Sequence, residues 1–242
     1  MLIDIHVHLG RDTVFESDFP EEPLLRALDE HGVDLSIVQP GTEVFLEPVR
    51  AQHEAIARLA ARLPGRIVGM ADPNPHLPEE AYRQEVTRCV RELGFVGIKL
   101  HTQGHAVRID GRAAQMVCRV AQELDVAVMV HTAPGNAFTS PLGAIAVARA
   151  NPRLRLVLAH AANAEALLAA QECPNITLET TWSNYGFARE AVHKLGASRV
   201  VFGSDHPANI PVELAKYRAA GLSEAQMELV LSGTARQVFR LG

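Results

Sequence analysis

Leu2-Ile3-Asp4-Ile5-His6-Val7-His8-Leu9-Gly10 decides the fold class. An apolar run this close to the start reads as a strand buried on both faces, as in a parallel sheet covered by helices. A doubly wound open sheet would follow its first strand with a glycine-rich phosphate loop. Here that position holds His-Val-His-Leu-Gly, which is not G-x-G-x-x-G. Working outward, apolar runs near residues 35–40, 67–73, 97–101, 126–132, 155–161, 176–181 and 200–204 read as seven further strands. Helical patterns fall near 22–31, 46–63, 78–93, 112–124, 141–150, 163–171, 186–196 and 211–220, with a last helix near 223–239.

Eight strands, each followed by a helix, in 242 residues match the specification of an α/β protein of the (β/α)8 or TIM barrel type. Punctuation agrees with the boundaries. Pro23, Pro78, Pro141 and Pro211 stand at or near helix starts, and Gly32, Gly94, Gly196 and Gly221 just past helix ends. Ser223-x-x-Gln226 resembles a capping box. The chain reads as one domain, residues 1–242, with no composition break or repeat beyond the β/α unit.

Composition narrows the function classes. Apolar residues make up 48 %, enough for a substantial core, and the net charge of −5 gives no electrostatic case for a nucleic-acid or membrane-surface partner. No stretch approaches the roughly 20 apolar residues of a membrane span. The start, Met1-Leu2-Ile3-Asp4, has no basic region or cleavage site, so a cytoplasmic protein is expected. Cys89, Cys118 and Cys173 form no C-x-x-C and read as reduced structural thiols.

Six of the eleven histidines end apolar runs or follow directly on them: His6 and His8, His101, His131, His160 and His206. His6 and His8 are two residues apart and share a face of the first strand, with Asp4 expected deeper on that face. His131 ends the fifth strand, His160 the sixth, and Asp205 follows the eighth. In a barrel all of these open onto the C-terminal mouth, where active sites are built. Imidazole and carboxylate side chains converging there suit a divalent metal, Zn2+ first and Mn, Fe, Co or Ni as alternatives. Such a cation lowers the pKa of a bound water, and Asp205 could both bind the metal and take the proton.

This pattern resembles the amidohydrolase superfamily, and within it the amidohydrolase-related small barrels of the aminocarboxymuconate semialdehyde decarboxylase type. The resemblance runs from Ile3-Asp4-Ile5-His6-Val7-His8 through Gly97-Ile98-Lys99-Leu100-His101 to Phe202-Gly203-Ser204-Asp205-His206-Pro207. It implies metal ligands at His6, His8, His131 and Asp205. It implies for His160 either a ligand to a second metal or the group that orients water or substrate. Lys99 also has two readings, a carboxylated bridge between two metals or a free amine. A free amine needs a buried partner, for which Asp4 or Asp72 is the candidate. Two neighbouring families share an H-x-H first strand. The TatD-like nucleases carry a Gly-Glu pattern where this chain has Gly97-Ile98-Lys99, and the PHP phosphoesterases need further ligands absent from this pattern.

Around the mouth, Arg11 could grip a substrate carboxylate, and Trp182 could stack on a substrate ring or a partner subunit. His101 reads as a substrate-facing group, and His206 as a cap of its strand end. Short loops imply no large lid, hence a small-molecule substrate or a wall supplied by a second subunit of a homodimer. Asp205 and His160 are the expected catalytic pair. The expected function is a metal-dependent hydrolase of a small amide, lactone or ester. The alternatives are a non-oxidative decarboxylase on the same ligands and a barrel that binds metal without catalysis.

Overall fold

A computed structural model describes residues 1–242. The barrel strands are β1 (Ile3–Asp12), β3 (Leu35–Pro40), β4 (Ile67–Gly69), β5 (Gly97–Leu100), β6 (Ala127–His131), β7 (Leu156–Ala159), β8 (Ile176–Glu179) and β9 (Val200–Val201). All pair in parallel with their neighbours. Two single bridges, Ala71 to Ile98 and Val7 to Asp205, close the ring. Strand β2 (Ser17–Phe19) is outside the ring and pairs antiparallel with the end of β1. The sequence reading stopped the first strand at His8. Gly10, at φ 107°, instead lets the chain run on into a hairpin over the mouth.

Helices α1 (Glu21–Glu30), α2 (Leu46–Arg62), α3 (Glu79–Arg91), α4 (Arg112–Leu124), α5 (Gly143–Ala150), α6 (Ala164–Glu172), α7 (Tyr185–Leu195) and α8 (Ile210–Ala219) form the outer layer. Each lies within two residues of its expected bounds. The last helix is split into α9 (Glu224–Glu228) and α10 (Thr234–Phe239) by a π turn at Leu229–Gly233, and the Ser223–Gln226 capping box is present. The carbonyl of Val230, in the π turn, accepts the Phe202 N–H at 3.0 Å. That bond holds the chain beyond the two-residue ladder of β9. Val238 and Phe239 of α10 pack with Ile3, Leu35, Ala127 and Val157 to plug the bottom of the barrel.

One irregularity decides which side chains reach the mouth. Between β1 and β3 the register runs Ile3 to Leu35, Asp4 to Ser36, then Val7 to Val38 and His8 to Gln39. Ile5 and His6 therefore share one partner position, Ile37, in a β-bulge. Alternation restarts there, so Ile3, Ile5, His6 and His8 point inward while Asp4 and Val7 face the helix layer. The expectation that Asp4 shares a face with His6 is corrected, because a bulge inverts the pleat. Cys89, Cys118 and Cys173 are buried free thiols. Burial raises the first two, Cys118 to about 12, so neither is a thiolate nucleophile. No helix is long and apolar enough to cross a membrane.

Candidate active site

The inward residues of the strand ends meet where alternation placed them. His6 and His8 come from β1, Lys99 from β5, His131 from β6 and Glu179 from β8. His101 follows β5 directly. Alternation would turn His160 outward after Ala159, but its φ of 59° turns it into the mouth. Asp205 and Trp182 also carry positive φ, both 66°. Three non-glycine left-handed residues at one site are the kind of backbone cost retained where side-chain direction matters.

Asp205 is the hub. Its Oδ1 lies 3.1 Å from His6 Nε2, 3.4 Å from His8 Nε2 and 4.0 Å from His160 Nε2. Its Oδ2 accepts the Trp182 indole N–H at 2.9 Å. Burial alone would push its carboxyl up, but the charge and hydrogen bonding of His6, with help from His8 and His160, hold it well below the usual carboxylate range. Outer partners fix the β1 imidazoles. His6 Nδ1 meets Glu179 Oε2 at 3.1 Å, and His8 Nδ1 meets the Pro40 carbonyl at 2.9 Å. Each ring then presents Nε2 to the mouth, as metal-ligating histidines do. Gly203 makes room for the arrangement, since a Cβ there would lie 2.9 Å from His6 Cβ and 3.0 Å from Glu179 Cγ.

His131 stacks on His101 with ring centroids 4.2 Å apart and meets His160 edge-on at 4.8 Å. Both His131 nitrogens and Nδ1 of His160 are buried without a partner. Burial, aided by neighbouring cationic groups, lowers His131 to about 2, and burial lowers His160 to about 4, so both are neutral with free lone pairs. His101 is held in one tautomer. Its Nδ1 accepts the Gly104 N–H at 3.0 Å, which leaves Nε2–H as the donor.

Lys99 is fully buried, but its partner is neither Asp4 nor Asp72. Its Nζ lies 2.7 Å from His6 Nε2. Asp4 is engaged elsewhere, with the Ser204 hydroxyl and backbone and the His6 N–H. Asp72 has no hydrogen-bond partner on either oxygen. Burial lowers Lys99 against the pull of Asp205, Asp72 and Glu179.

The space above these groups is a cavity of about 280 Å3. Phe15 and Phe19 of the hairpin and Trp182 form aromatic walls over a polar floor. Phe15 lies 5.3 Å from the His101 ring and Phe19 5.2 Å from His8. The β1–β2 hairpin is thus a small flap; no large lid was expected. Arg11 is corrected as a substrate-gripping residue. It is directed outward on the hairpin, 64 % exposed and 3.7 Å from Asp18. His206 caps the short helical turn Pro207–Asn209 and not its strand end, accepting the Ala208 N–H. A larger cavity of about 650 Å3 near the bottom of the barrel is lined by Arg153, Arg155 and Arg240 around Asp125 and holds none of the strand-end groups.

Glu179 is a site residue that the histidine pattern does not mark. It ends the apolar run Ile176-Thr-Leu-Glu179 as the histidines end theirs, and that was the available signal. Asp12 is another. It holds the hairpin by accepting from the N–H groups of Val14, Phe15 and Thr42.

A closed (β/α)8 barrel with a buried imidazole–carboxylate cluster at its C-terminal mouth is the architecture of a metal-dependent amidohydrolase-type enzyme. The amidohydrolase family model matches residues 3–241, and the chain belongs to that family. It is 38 % identical over 82 residues to a gamma-resorcylate decarboxylase of Polaromonas sp. (strain JS666), covering 30 % of this chain and 25 % of that protein. The match thus spans about a quarter of that relative's length. Among solved structures, a dihydroxybenzoic acid decarboxylase from Polaromonas sp. JS666, with bound manganese and 2-nitroresorcinol, superposes with a TM-score of 0.81 at 20 % identity, covering 99 % of this chain and 97 % of that one. A 5-carboxyvanillate decarboxylase from Sphingomonas paucimobilis gives 0.79 at 16 % identity, covering 100 % and 99 %. These relatives overturn the expectation of a hydrolase. The strand-end ligand set serves hydrolysis and decarboxylation alike, so the ligands alone do not choose between them, and the relatives favour the decarboxylase alternative.

Proposed function

We propose that this chain is a non-oxidative decarboxylase, dependent on a divalent cation, of a small aromatic acid with a hydroxyl beside its carboxylate. The observation that carries the reading is the pairing of the Asp205–histidine floor with aromatic walls, in a chain whose relatives are named for decarboxylating such acids.

The residues fit a cation. Ligand atoms of His6, His160 and Asp205 lie within 4.8 Å of one another, and unpartnered lone pairs of His131 and His160 are buried beside them. His6, His8, His131 and Asp205 would hold it, with Mn2+ the first candidate on the manganese of the Polaromonas neighbour and Zn2+ the second. Such a cation supplies positive charge against the substrate's carboxylate and hydroxyl oxygens.

The chain's own groups account for the proton. Phe15, Phe19 and Trp182 hold the ring and keep water out. His101 Nε2–H donates to a substrate oxygen. Asp205, ionised and low in pKa, takes the hydroxyl proton and becomes a strong acid. It then delivers that proton to the ring carbon bearing the carboxylate, as the ring oxygen gives its pair to the ring and becomes a carbonyl. The carbon–carboxylate bond breaks, CO2 leaves, and the released pair restores the aromatic ring. A solvent proton returns to the ring oxygen, so one carboxylate and one proton give one arene and one CO2.

The test is Mn2+-loaded protein with 2,6-dihydroxybenzoate, following CO2 and resorcinol together. Equal amounts of both are expected. If no hydroxybenzoate in a broad panel releases CO2, the reading fails.

A further inference from the structure

We propose that Trp182 is the positioning residue of Asp205, and that the buried Glu213–Lys216 pair of α8 holds the two in register. The role of Asp205 rests on the decarboxylase reading; its coupling to Trp182 does not.

The two oxygens of Asp205 have different duties. Oδ1 faces the three imidazoles, and Oδ2 accepts the indole N–H at 2.9 Å. A carboxylate can rotate and exchange its oxygens unless one is tied, and the indole ties Oδ2. Trp182 is 61 % exposed and left-handed at φ 66°. A large aromatic in that state gains little from core packing and carries backbone strain, so something else fixes it.

That support comes from α8. Glu213 Oε1 accepts the Trp182 backbone N–H at 3.0 Å and an Asn209 side-chain N–H at 3.2 Å. Asn209 also donates to the Ser204 carbonyl at 3.0 Å, immediately before Asp205. Lys216 donates to the Thr180 carbonyl at 2.6 Å and to Glu213. Glu213 is 2 % and Lys216 7 % exposed. Burying two charges is costly unless every hydrogen bond is used. Here the bonds join the loop carrying Trp182 to the loop carrying Asp205. Deformation of either loop would break the indole–carboxylate contact.

Trp182 is the only tryptophan, so indole fluorescence reports the surroundings of this one side chain. In metal-free protein, Asp205→Ala and Glu213→Gln are each expected to shift the emission of a chain whose circular dichroism is unchanged. With 2,6-dihydroxybenzoate and Mn2+, Trp182→Phe is expected to lower kcat on the order of a hundredfold, with KM changed less than about threefold. Unchanged emission in folded Asp205→Ala protein, or a wild-type kcat in Trp182→Phe, overturns the proposal. Should the wild type release no CO2, the decarboxylase reading fails by itself, and the emission of the two metal-free variants still decides the coupling.

Discussion

One oxygen of Glu179 serves two histidines: Oε2 lies 3.1 Å from His6 Nδ1 and accepts the His160 backbone N–H at 3.2 Å. The same carboxylate takes the Thr181 hydroxyl and N–H on its other oxygen. Burial would raise it, but the hydrogen bond and charge of His6, with His160 and Thr181, hold it at about 2. Glu179 therefore orients an imidazole from β1 and the loop after β7 together. Glu179→Gln keeps the volume but loses the charge facing His6. We expect Mn2+ to bind about 10- to 100-fold more weakly in this variant, by calorimetric titration. Affinity equal to wild type would remove Glu179 from the support of the site.

Metal binding should compete with a proton. Burial and Lys99 pull His6 down, yet Asp205 and Glu179 outweigh them and raise its pKa above the ordinary histidine value. A cation must displace that proton to reach Nε2. Affinity for Mn2+ is thus expected to be full at alkaline pH and to weaken about tenfold per pH unit below the His6 pKa. Calorimetry in two buffers of different ionisation enthalpy should show about one proton released per cation. Binding independent of pH between 6 and 8 contradicts this.

Asp4 latches the barrel seam. It accepts from the Ser204 N–H and hydroxyl and from the His6 N–H, and burial raises it to about 7 against those bonds. The folded pKa lies above the unfolded value of about 3.9. Its contribution to stability is therefore complete below about pH 4 and declines as pH rises through 7, by at most about 4 kcal/mol. Asp4→Asn keeps an acceptor and cannot ionise. In metal-free protein we expect its Tm to gain on wild type between pH 5 and 8.5. Asp4→Ala should instead lose about 1–3 kcal/mol at acid pH by orphaning buried donors, and should recover against wild type over the same pH range as Asp4→Asn. A constant gap between Asp4→Asn and wild type across that range would contradict the assignment.

The barrel was legible because its strands are continuous apolar runs and its helices end on glycine or start near proline. The cluster was legible because His6, His8, His131, His160 and Asp205 terminate those runs. What stayed hidden depends on departures from alternation. The bulge at Ile5–His6 turned Asp4 outward, and positive φ at His160 and Asp205 re-aimed them, and no pleat rule anticipates either. The hairpin was hidden because Ser17–Phe19 is too short to read as a strand. Glu213 and Lys216 lie on a helix face that looks solvated until the loops beneath it are in place.

The number of cations turns on Lys99. Its amine lies 2.7 Å from His6 Nε2, burial lowers its pKa, and it makes no hydrogen bond to the acids around it. We expect one cation per chain and no carboxylation of Lys99. Plasma mass spectrometry should give about one equivalent in wild type and in Lys99→Met, with no response to added bicarbonate. Two equivalents falling to one in Lys99→Met would establish the bridge instead.

Acid sensitivity should originate far from the mouth, at Glu85 on α3. His53, Glu85 and Cys89 bring ligand-type atoms together, but Arg50 and Arg88 already pair with the carboxylate. His53 uses both nitrogens, on Glu85 at 2.8 Å and on the Asp72 N–H at 3.2 Å, so the cluster is a structural network rather than a metal site. Burial would raise Glu85, but bonds from His53, Arg88 and Arg50 hold it far below the usual range. Because the folded pKa is depressed, this stabilisation is present above the unfolded value of about 4.3 and is lost as pH falls below it. Burial lowers His53 despite Glu85, which adds a loss in the same direction below about pH 6.5. Glu85→Gln should cost roughly 3 kcal/mol at pH 7, by denaturant unfolding, because the arginines lose their partner. The gap to wild type should narrow progressively as pH falls from about 4.3 towards 3. If it stays constant down to pH 3.5, the acid-labile group lies elsewhere.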